Sequence, residues 1–290
     1  MNFTISNHRL TVTAFDYGAE LQSVILDGTE RLWQGDPDVW SGRSPILFPF
    51  VGRIKNGSYT FEGKEYPAPS PHGFARKSTF SVEEQTETAI TFRIVSSEET
   101  KKLYPFDFVF DVTYSVEENR LVQSFRVENT GTFPMYYAFG AHPGFILPLG
   151  DTEFTDWYLE FVPDQPLNQA LLDGMFMSDK VVPCPYAKGN KIPLYHAMFD
   201  DDAFILTGLN NKIFTVKSDK SPHKIVADCT DFDYVAFWKM PQSDAKYLCI
   251  EPWNGLPSDS KAPEELTVKR DMRTLAPQEY EICSISYLLD

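Results

Sequence analysis

The chain is short of several things, and each shortage removes a class of function. Basic residues are few: 26 Lys and Arg against 41 Asp and Glu, a net charge of −15. A surface of that sign repels nucleic acid and anionic membranes, so neither is expected as a partner. Cysteine is scarce as well. Cys184, Cys229, Cys249 and Cys283 form no CxxC pair, which fits reduced thiols packed as small apolar groups rather than a disulfide or zinc framework. No apolar run approaches the roughly 20 residues that cross a bilayer. The start, from Met1 to His8, alternates like a strand and lacks the basic and apolar regions of a leader. The expectation is a soluble cytoplasmic protein, monomer or homodimer.

Helical periodicity is also nearly absent, with weak candidates only at 98–102 and 168–172. Strand patterns fill the remainder. Phe108, Phe110, Val112 and Tyr114 alternate up to a turn at Glu117-Glu118-Asn119, and Leu121, Gln123, Phe125 and Val127 carry the chain back. That pattern predicts an antiparallel hairpin. A second hairpin is expected from Phe204-Ile205-Leu206 through Gly208–Asn211 to Ile213–Val216. Further strands are expected at 58–65, 90–95, 157–161, 234–238 and 282–288. The fold class that follows is all-β, a sandwich or barrel. At 290 residues the chain could form one large or two ordinary domains. The stretch 163–193 is rich in Pro, Asp and Gly, but no composition shift flanks it. It reads as a long excursion on one domain spanning 1–290.

Candidate chemistry concentrates in three places. The segment 246–255, KYLCIEPWNG, ends an apolar run on Glu251, beside Pro252 and Trp253. A carboxylate on a strand is held rigidly, which suits precise proton exchange; the alternative is a surface residue before a turn. His72, in SPHGFAR, and His142, in AFGAHPGF, sit in Gly- and Pro-rich turns with aromatic neighbours. Such turns fix a side chain while leaving room for a ligand, although a histidine there can equally just cap its turn. His8, His196 and His223 have no comparable setting. No H-x-H, H-E-x-x-H, P-loop or GxGxxG occurs, and only Glu251 has a convincing carboxylate setting. Metal hydrolases and two-carboxylate glycosidases are thereby disfavoured.

The stretches SPILFPFVGRI (44–54), PHGFAR (71–76), AHPGF (141–145) and IEPW (250–253), in that order, resemble the galactose mutarotase (aldose 1-epimerase) superfamily, in particular its LacX-like bacterial branch. The resemblance runs from about position 40 to the C-terminus. It implies a single antiparallel β-supersandwich with few short helices, and a sugar cleft across a concave sheet. It also implies mutarotation without metal or cofactor. Glu251 as base would take the C1 hydroxyl proton while His142 as acid protonates the ring oxygen. His72, Arg53 and Arg76 would position the sugar, a small-molecule hexose or hexose phosphate. An aspartate is expected within 199–204, with Asp201 chosen and Asp202 beside it. Phe74 and Trp253 are candidates to stack on the pyranose or to belong to the core. The neighbouring carboxylate is expected to raise the pKa of His142.

The chain departs from the best-studied galactose mutarotases at Gly52 and at Gly140-Ala141, where those carry asparagine-rich settings, so the sugar does not transfer with the resemblance. Three readings follow. They are a hexose 1-epimerase, a hexose-6-phosphate mutarotase drawing on Arg43, Arg53 and Arg76, and a non-catalytic sugar-binding protein on the same fold.

Overall fold

Alternation in the sequence becomes strand throughout. In the computed structural model, which describes residues 1–290, strand accounts for 49 % of residues and helix for 7 %, so the chain is all-β. The hairpin expected near 108–127 forms from the strands Phe108–Glu117 and Arg120–Asn129, paired without a break. The second strand buries Leu121, Gln123, Phe125, Val127 and Asn129 and leaves the residues between them partly exposed. That period of two marks a sheet with one face on a core. Strands Trp157–Phe161 and Tyr234–Trp238 have the expected bounds, those expected at 90–95 and 282–288 form within two residues of theirs, and 58–65 is instead a hairpin of Ser58–Phe61 with Lys64–Pro67.

The strands assemble into three main antiparallel sheets, of four, nine and eight strands. The nine-stranded sheet runs from Lys191–Pro193 through Trp157–Phe161 and Tyr280–Leu289 to Ser81–Gln85. The eight-stranded sheet runs from Phe176–Pro183 at one edge, through Tyr234–Trp238 and Tyr247–Asn254, to Ile46–Leu47 at the other, with Gly144–Ile146 paired to Tyr247–Asn254 as well. An apolar cluster of 66 buried residues extends from Ile5 to Leu289. Its aromatic centre includes Phe48 stacked on Phe110 at 4.3 Å between ring centroids, with Phe125 stacked beyond at 6.0 Å from Phe110. Interdigitated rings of this kind supply most of the apolar area removed from water.

Two local expectations are corrected. Phe204–Thr207 and Ile213–Ser218 are both strands, but they do not form a hairpin. The first pairs with Asn168–Asp173 and Tyr234–Trp238 in the eight-stranded sheet, and the second pairs with Trp157–Phe161 and Lys224–Asp228 in the nine-stranded sheet. The connection turns the corner between layers, a choice that local pattern does not encode. The weak helix candidate at 168–172 is instead the strand Asn168–Asp173, hairpinned with Phe176–Pro183. Pairing along a sheet edge overrides its slight helical preference. The candidate at 98–102 does form one helical turn, Glu98–Lys101, with Ser97 capping it.

The nine-stranded sheet recruits strands from both sides of the 163–193 stretch, so separating the two sides would divide its core. Limited proteolysis is expected to nick the Asp173-Gly174-Met175 turn while the fragments stay associated and denaturant unfolding remains a single transition. Release of two separately folded halves would sink the one-domain expectation.

Candidate active site

The strand Tyr247–Asn254 is buried along its whole length. Leu248 and Ile250 face the main core, so Cys249, Glu251 and Trp253 face the opposite side of the sheet. Pairing couples Gly140 to Trp253 and Gly144 to Cys249, and the same count sets His142 across from Glu251. Pro143, which has no N–H, interrupts the ladder at that point. The result is a cross-strand pair in which His142 Nε2 lies 3.2 Å from Glu251 Oε1. On the other flank, Ala236 faces Glu251 and Trp238 faces Cys249.

Small residues on this face make room. A Cβ on Gly144 would come within 2.9 Å of the Trp40 ring, and one on Gly140 within 2.5 Å of the Pro252 carbonyl oxygen. What remains open is a cleft of about 300 Å³, lined by Arg53, His72, Arg76, Asp202, Trp40 and Trp253 around the pair.

Burial governs the electrostatics of the pair. Glu251 is 1 % exposed and His142 7 %. Neither carboxylate oxygen has a hydrogen bond of good geometry, and Nδ1 of His142 has no partner. Loss of water pushes Glu251 well above the ordinary carboxylate range, with the Asp202 charge adding to the rise and the Trp253 indole opposing it. Loss of water likewise lowers His142 to about 3, its own backbone carbonyl opposing and Arg76 adding to the fall. The expected rise of His142 is therefore reversed, since a protonated carboxyl has no charge with which to raise it. Both shifts favour the uncharged forms, a carboxyl on Glu251 beside a neutral imidazole on His142.

The second histidine is fixed differently. His72 has a φ of 64°, and it exchanges bonds with Gly52. Its N–H donates to the Gly52 carbonyl at 2.7 Å, and the Gly52 N–H donates to His72 Nδ1 at 3.1 Å. With Nδ1 accepting, the ring hydrogen is on Nε2. Burial, then the nearby His142, Arg76 and Arg53, lower its pKa well below 6.5, so His72 is a neutral donor. The 44–54 and 70–76 loops are pressed together here. Gly73, at a φ of 69°, could carry no Cβ without meeting the Phe48 carbonyl at 2.3 Å. Trp40 lies over His142 at 5.2 Å, Trp238 presents an edge at 5.5 Å, and His72 stands perpendicular at 5.6 Å. The π-face of Trp40 would favour an imidazolium whenever one forms.

The family model for aldose 1-epimerase matches residues 1–267. The chain belongs to the aldose 1-epimerase family. Protein LacX (plasmid) of Lactococcus lactis subsp. lactis is 31 % identical over 292 residues, covering 96 % of this chain and 95 % of that protein. Among solved structures, a galactose mutarotase related enzyme from Lactobacillus acidophilus is 34 % identical with a TM-score of 0.94, covering 100 % of this chain and 97 % of the other. A galactose mutarotase-like protein from Lactobacillus casei ATCC 334 is 32 % identical with a TM-score of 0.95, covering all of both chains. Membership gives this aldose 1-epimerase homologue its fold and, in general terms, the activity of a sugar epimerase of the mutarotase kind.

Within this epimerase fold, six of the eight residues singled out from sequence line one cleft: Glu251, His142, His72, Arg53, Arg76 and Trp253. Two do not. Asp201 is exposed and outside the cleft, and it is Asp202, at a φ of 88°, that turns inward. A run of three aspartates hides which one the backbone rotates inward. Phe74 packs beside Phe48, Tyr104 and Phe108, so it serves the core rather than a sugar face. Trp40 and Trp238 were missed. Trp238 reaches the cleft only through its register with Cys249, and Trp40 lies in an irregular segment with no sequence signal.

The ligand atoms of His142, Cys249 and Glu251 lie within 4.8 Å of one another, close enough to grip a divalent cation. Such an ion would bind the same atoms that the proton pair uses. Added Zn²⁺ is therefore expected to inhibit the protein, and a chelator to leave its rate unchanged; loss of activity with chelator would overturn the metal-free expectation.

The signs of the pKa shifts give a stability prediction. A raised folded-state pKa means that the Glu251 contribution is fully present below its unfolded value and is lost as pH rises through the folded one. The depressed values of His72 and His142 act on the other side. Their contributions are present above about 6.5 and are lost as pH falls. Glu251→Gln removes the alkaline loss, so its Tm should exceed that of the wild type by a margin that widens from pH 5 to pH 9. A margin independent of pH would show that Glu251 is not buried as a neutral acid.

Proposed function

We propose that the chain is an aldose 1-epimerase interconverting the α and β anomers of a hexose by acid–base ring opening, with Glu251 as base and His142 as acid. The observation that carries the reading is the 3.2 Å pair, buried, facing a cleft and unsatisfied by any other group. Glu251 takes the proton of the C1 hydroxyl, the C1–O5 bond breaks as C1 becomes a carbonyl, and O5 receives a proton from His142. Rotation about C1–C2 presents the other carbonyl face. Ring closure then runs the same transfers in reverse, so both groups return to their starting state without a cofactor.

The working form has the pair's one proton on His142, and the resting form has it on Glu251. The two contain the same number of protons and differ only in where the proton sits. A sugar hydroxyl donating to the carboxylate, the Trp253 indole nearby and the Trp40 face all favour the working form. His72 donates from Nε2 to a sugar oxygen, while Asp202 accepts hydroxyl hydrogens. Positioning of this kind supplies much of the rate in such reactions.

A hexose-6-phosphate mutarotase is supported by a separate observation. The ion pairs of the structure engage Arg9, Arg93, Arg126, Arg270 and Arg273, while Arg53 and Arg76 line the cleft with no carboxylate partner. Burial depresses the pKa of Arg76, and an anionic substituent would relieve that strain. Arg43, by contrast, is engaged by the Gln22 carbonyl and Gln34, so it is not free for a phosphate.

Three measurements bear on these roles. Glu251→Gln keeps the shape and removes the basicity; turnover should fall at least about 100-fold while sugar affinity changes far less. A folded variant with near-normal turnover would rule out the base and favour a non-catalytic binder. The wild-type rate should follow the one-proton form of the pair, rising above the lowered His142 value of about 3 and falling only well above the ordinary carboxylate range. His142→Asn should lose most activity, and its residual rate should climb with pH as Glu251 ionises. His72→Asn should raise KM and keep the two-limbed profile. If instead His72→Asn loses the alkaline limb and His142→Asn keeps it, the acid is the other histidine.

A further inference from the structure

The 256–264 loop takes no part in the proton transfers, yet it is bonded to two walls of the cleft. On one side the Ser258 N–H donates to the Arg53 carbonyl at 3.0 Å, and the Lys55 N–H donates to Ser258 Oγ at 3.2 Å. Ser258 is buried and holds the backbone on either side of Ile54. On the other side Met177 donates its N–H to the Ser258 carbonyl at 2.8 Å and accepts from the Ser260 N–H at 2.9 Å. Met177 belongs to the hairpin of Asn168–Asp173 with Phe176–Pro183, whose turn brings Met175 into the cleft lining. Pro257 lines the cleft itself and lies against Gly52, where a Cβ would collide with the proline ring.

Lys55 closes this arrangement. Its ammonium lies 2.6 Å from the Ala262 carbonyl oxygen, 3.3 Å from that of Ser260 and 3.4 Å from that of Asp259. Three carbonyl oxygens turned toward one point repel one another, and a cation between them reverses the sign of that interaction. An ammonium suits the place because it has three donors and no acceptor. The loop is fastened at two further points. Ser258 Oγ donates to Glu264 Oε2 at 2.8 Å, and Lys269 Nζ donates to the Leu256 carbonyl at 2.8 Å.

We propose that Lys55 is a positioning residue, a tethered cation that gathers residues 259–262 around its ammonium and, through Ser258, sets the backbone from which Arg53 reaches the substrate. The proposal rests on the mutarotase reading, because it takes Arg53 as a contact to the sugar. His72 is locked by its reciprocal bonds with Gly52. The Arg53 guanidinium has no carboxylate partner to aim it into the cleft, so its direction depends on its backbone. Lys55 does not line the cleft and touches no substrate. Its effect therefore falls on binding, and the proton transfers of Glu251 and His142 proceed without it.

The test measures mutarotation of glucose, galactose and glucose 6-phosphate by polarimetry or exchange NMR, together with backbone hydrogen exchange, on the full chain. Lys55→Met is expected to raise KM at least about 5-fold while kcat stays within about twofold. Arg53→Met should raise KM by as much or more. The double variant should match Arg53→Met alone within about twofold, because Lys55 acts through Arg53. Exchange should quicken across 52–57 and 256–264 in Lys55→Met and stay unchanged in the strand Arg120–Asn129. Ser258→Ala removes the side-chain link and keeps the ammonium. It should show the same rise in KM at smaller amplitude, and it stands in where Lys55→Met fails to fold. A loss of kcat with KM unchanged, additive effects of the two substitutions, or unaltered exchange would each overturn the positioning role and leave the mutarotase reading standing. Wild-type inactivity on all three sugars would remove the mutarotase reading, and this inference with it.

Discussion

A carboxyl and an imidazole, both withdrawn from water and facing each other across two strands, are the least favourable arrangement in this molecule. Separately, each would expose the fold to the cost of an isolated buried charge whenever it ionised. Together they avoid that cost by holding one proton between them, so the pair is neutral overall whichever partner carries it. The rings of Trp40 and Trp238 pack against the imidazole, and Trp253 lines the same cleft. A sugar hydroxyl is the kind of group that can enter such a space and tip the proton from one partner to the other.

Rigidity comes from the sheet and adaptability from what surrounds it. Glu251 stands on a strand buried on both faces, and His142 is set by backbone pairing on either side of it. Neither depends on a loop for its position. His72, Arg53 and Arg76 arrive instead on two loops held together by the reciprocal bonds of Gly52 and His72. The hairpin of Asn168–Asp173 with Phe176–Pro183 closes one side of the eight-stranded sheet, with Phe176–Pro183 as its edge strand.

Much of this was legible in the sequence because the chemistry is carried by short motifs whose residues need unusual surroundings. Glu251, His142 and His72 were each flanked by Gly, Pro and aromatic residues that fix direction, and all three reach the cleft. Strands with strict alternation, such as Arg120–Asn129, were equally plain. What failed depended on long-range placement. Phe204–Thr207 and Ile213–Ser218 have the pattern of a hairpin, yet belong to different layers. Asp201 and Asp202 are neighbours of identical chemistry, and only a backbone rotation at Asp202 tells them apart. The pKa of His142 moves against the direction expected from its neighbouring carboxylate because burial of the imidazole dominates. Trp40 has no pattern at all and is defined only by what it covers.

The register that faces His142 with Glu251 has a consequence for how the chain can change. Side chains on a strand alternate between faces, so one residue inserted or deleted between Phe139 and Gly144 would turn the imidazole toward the main core and bring a neighbour into its place. Substitutions in that segment alter the shape of the cleft, whereas a change in its length would dismantle the proton pair altogether. The spacing of GAHPG relative to its partner strand is therefore the least negotiable dimension of the protein, more constrained than most of the residues that occupy it.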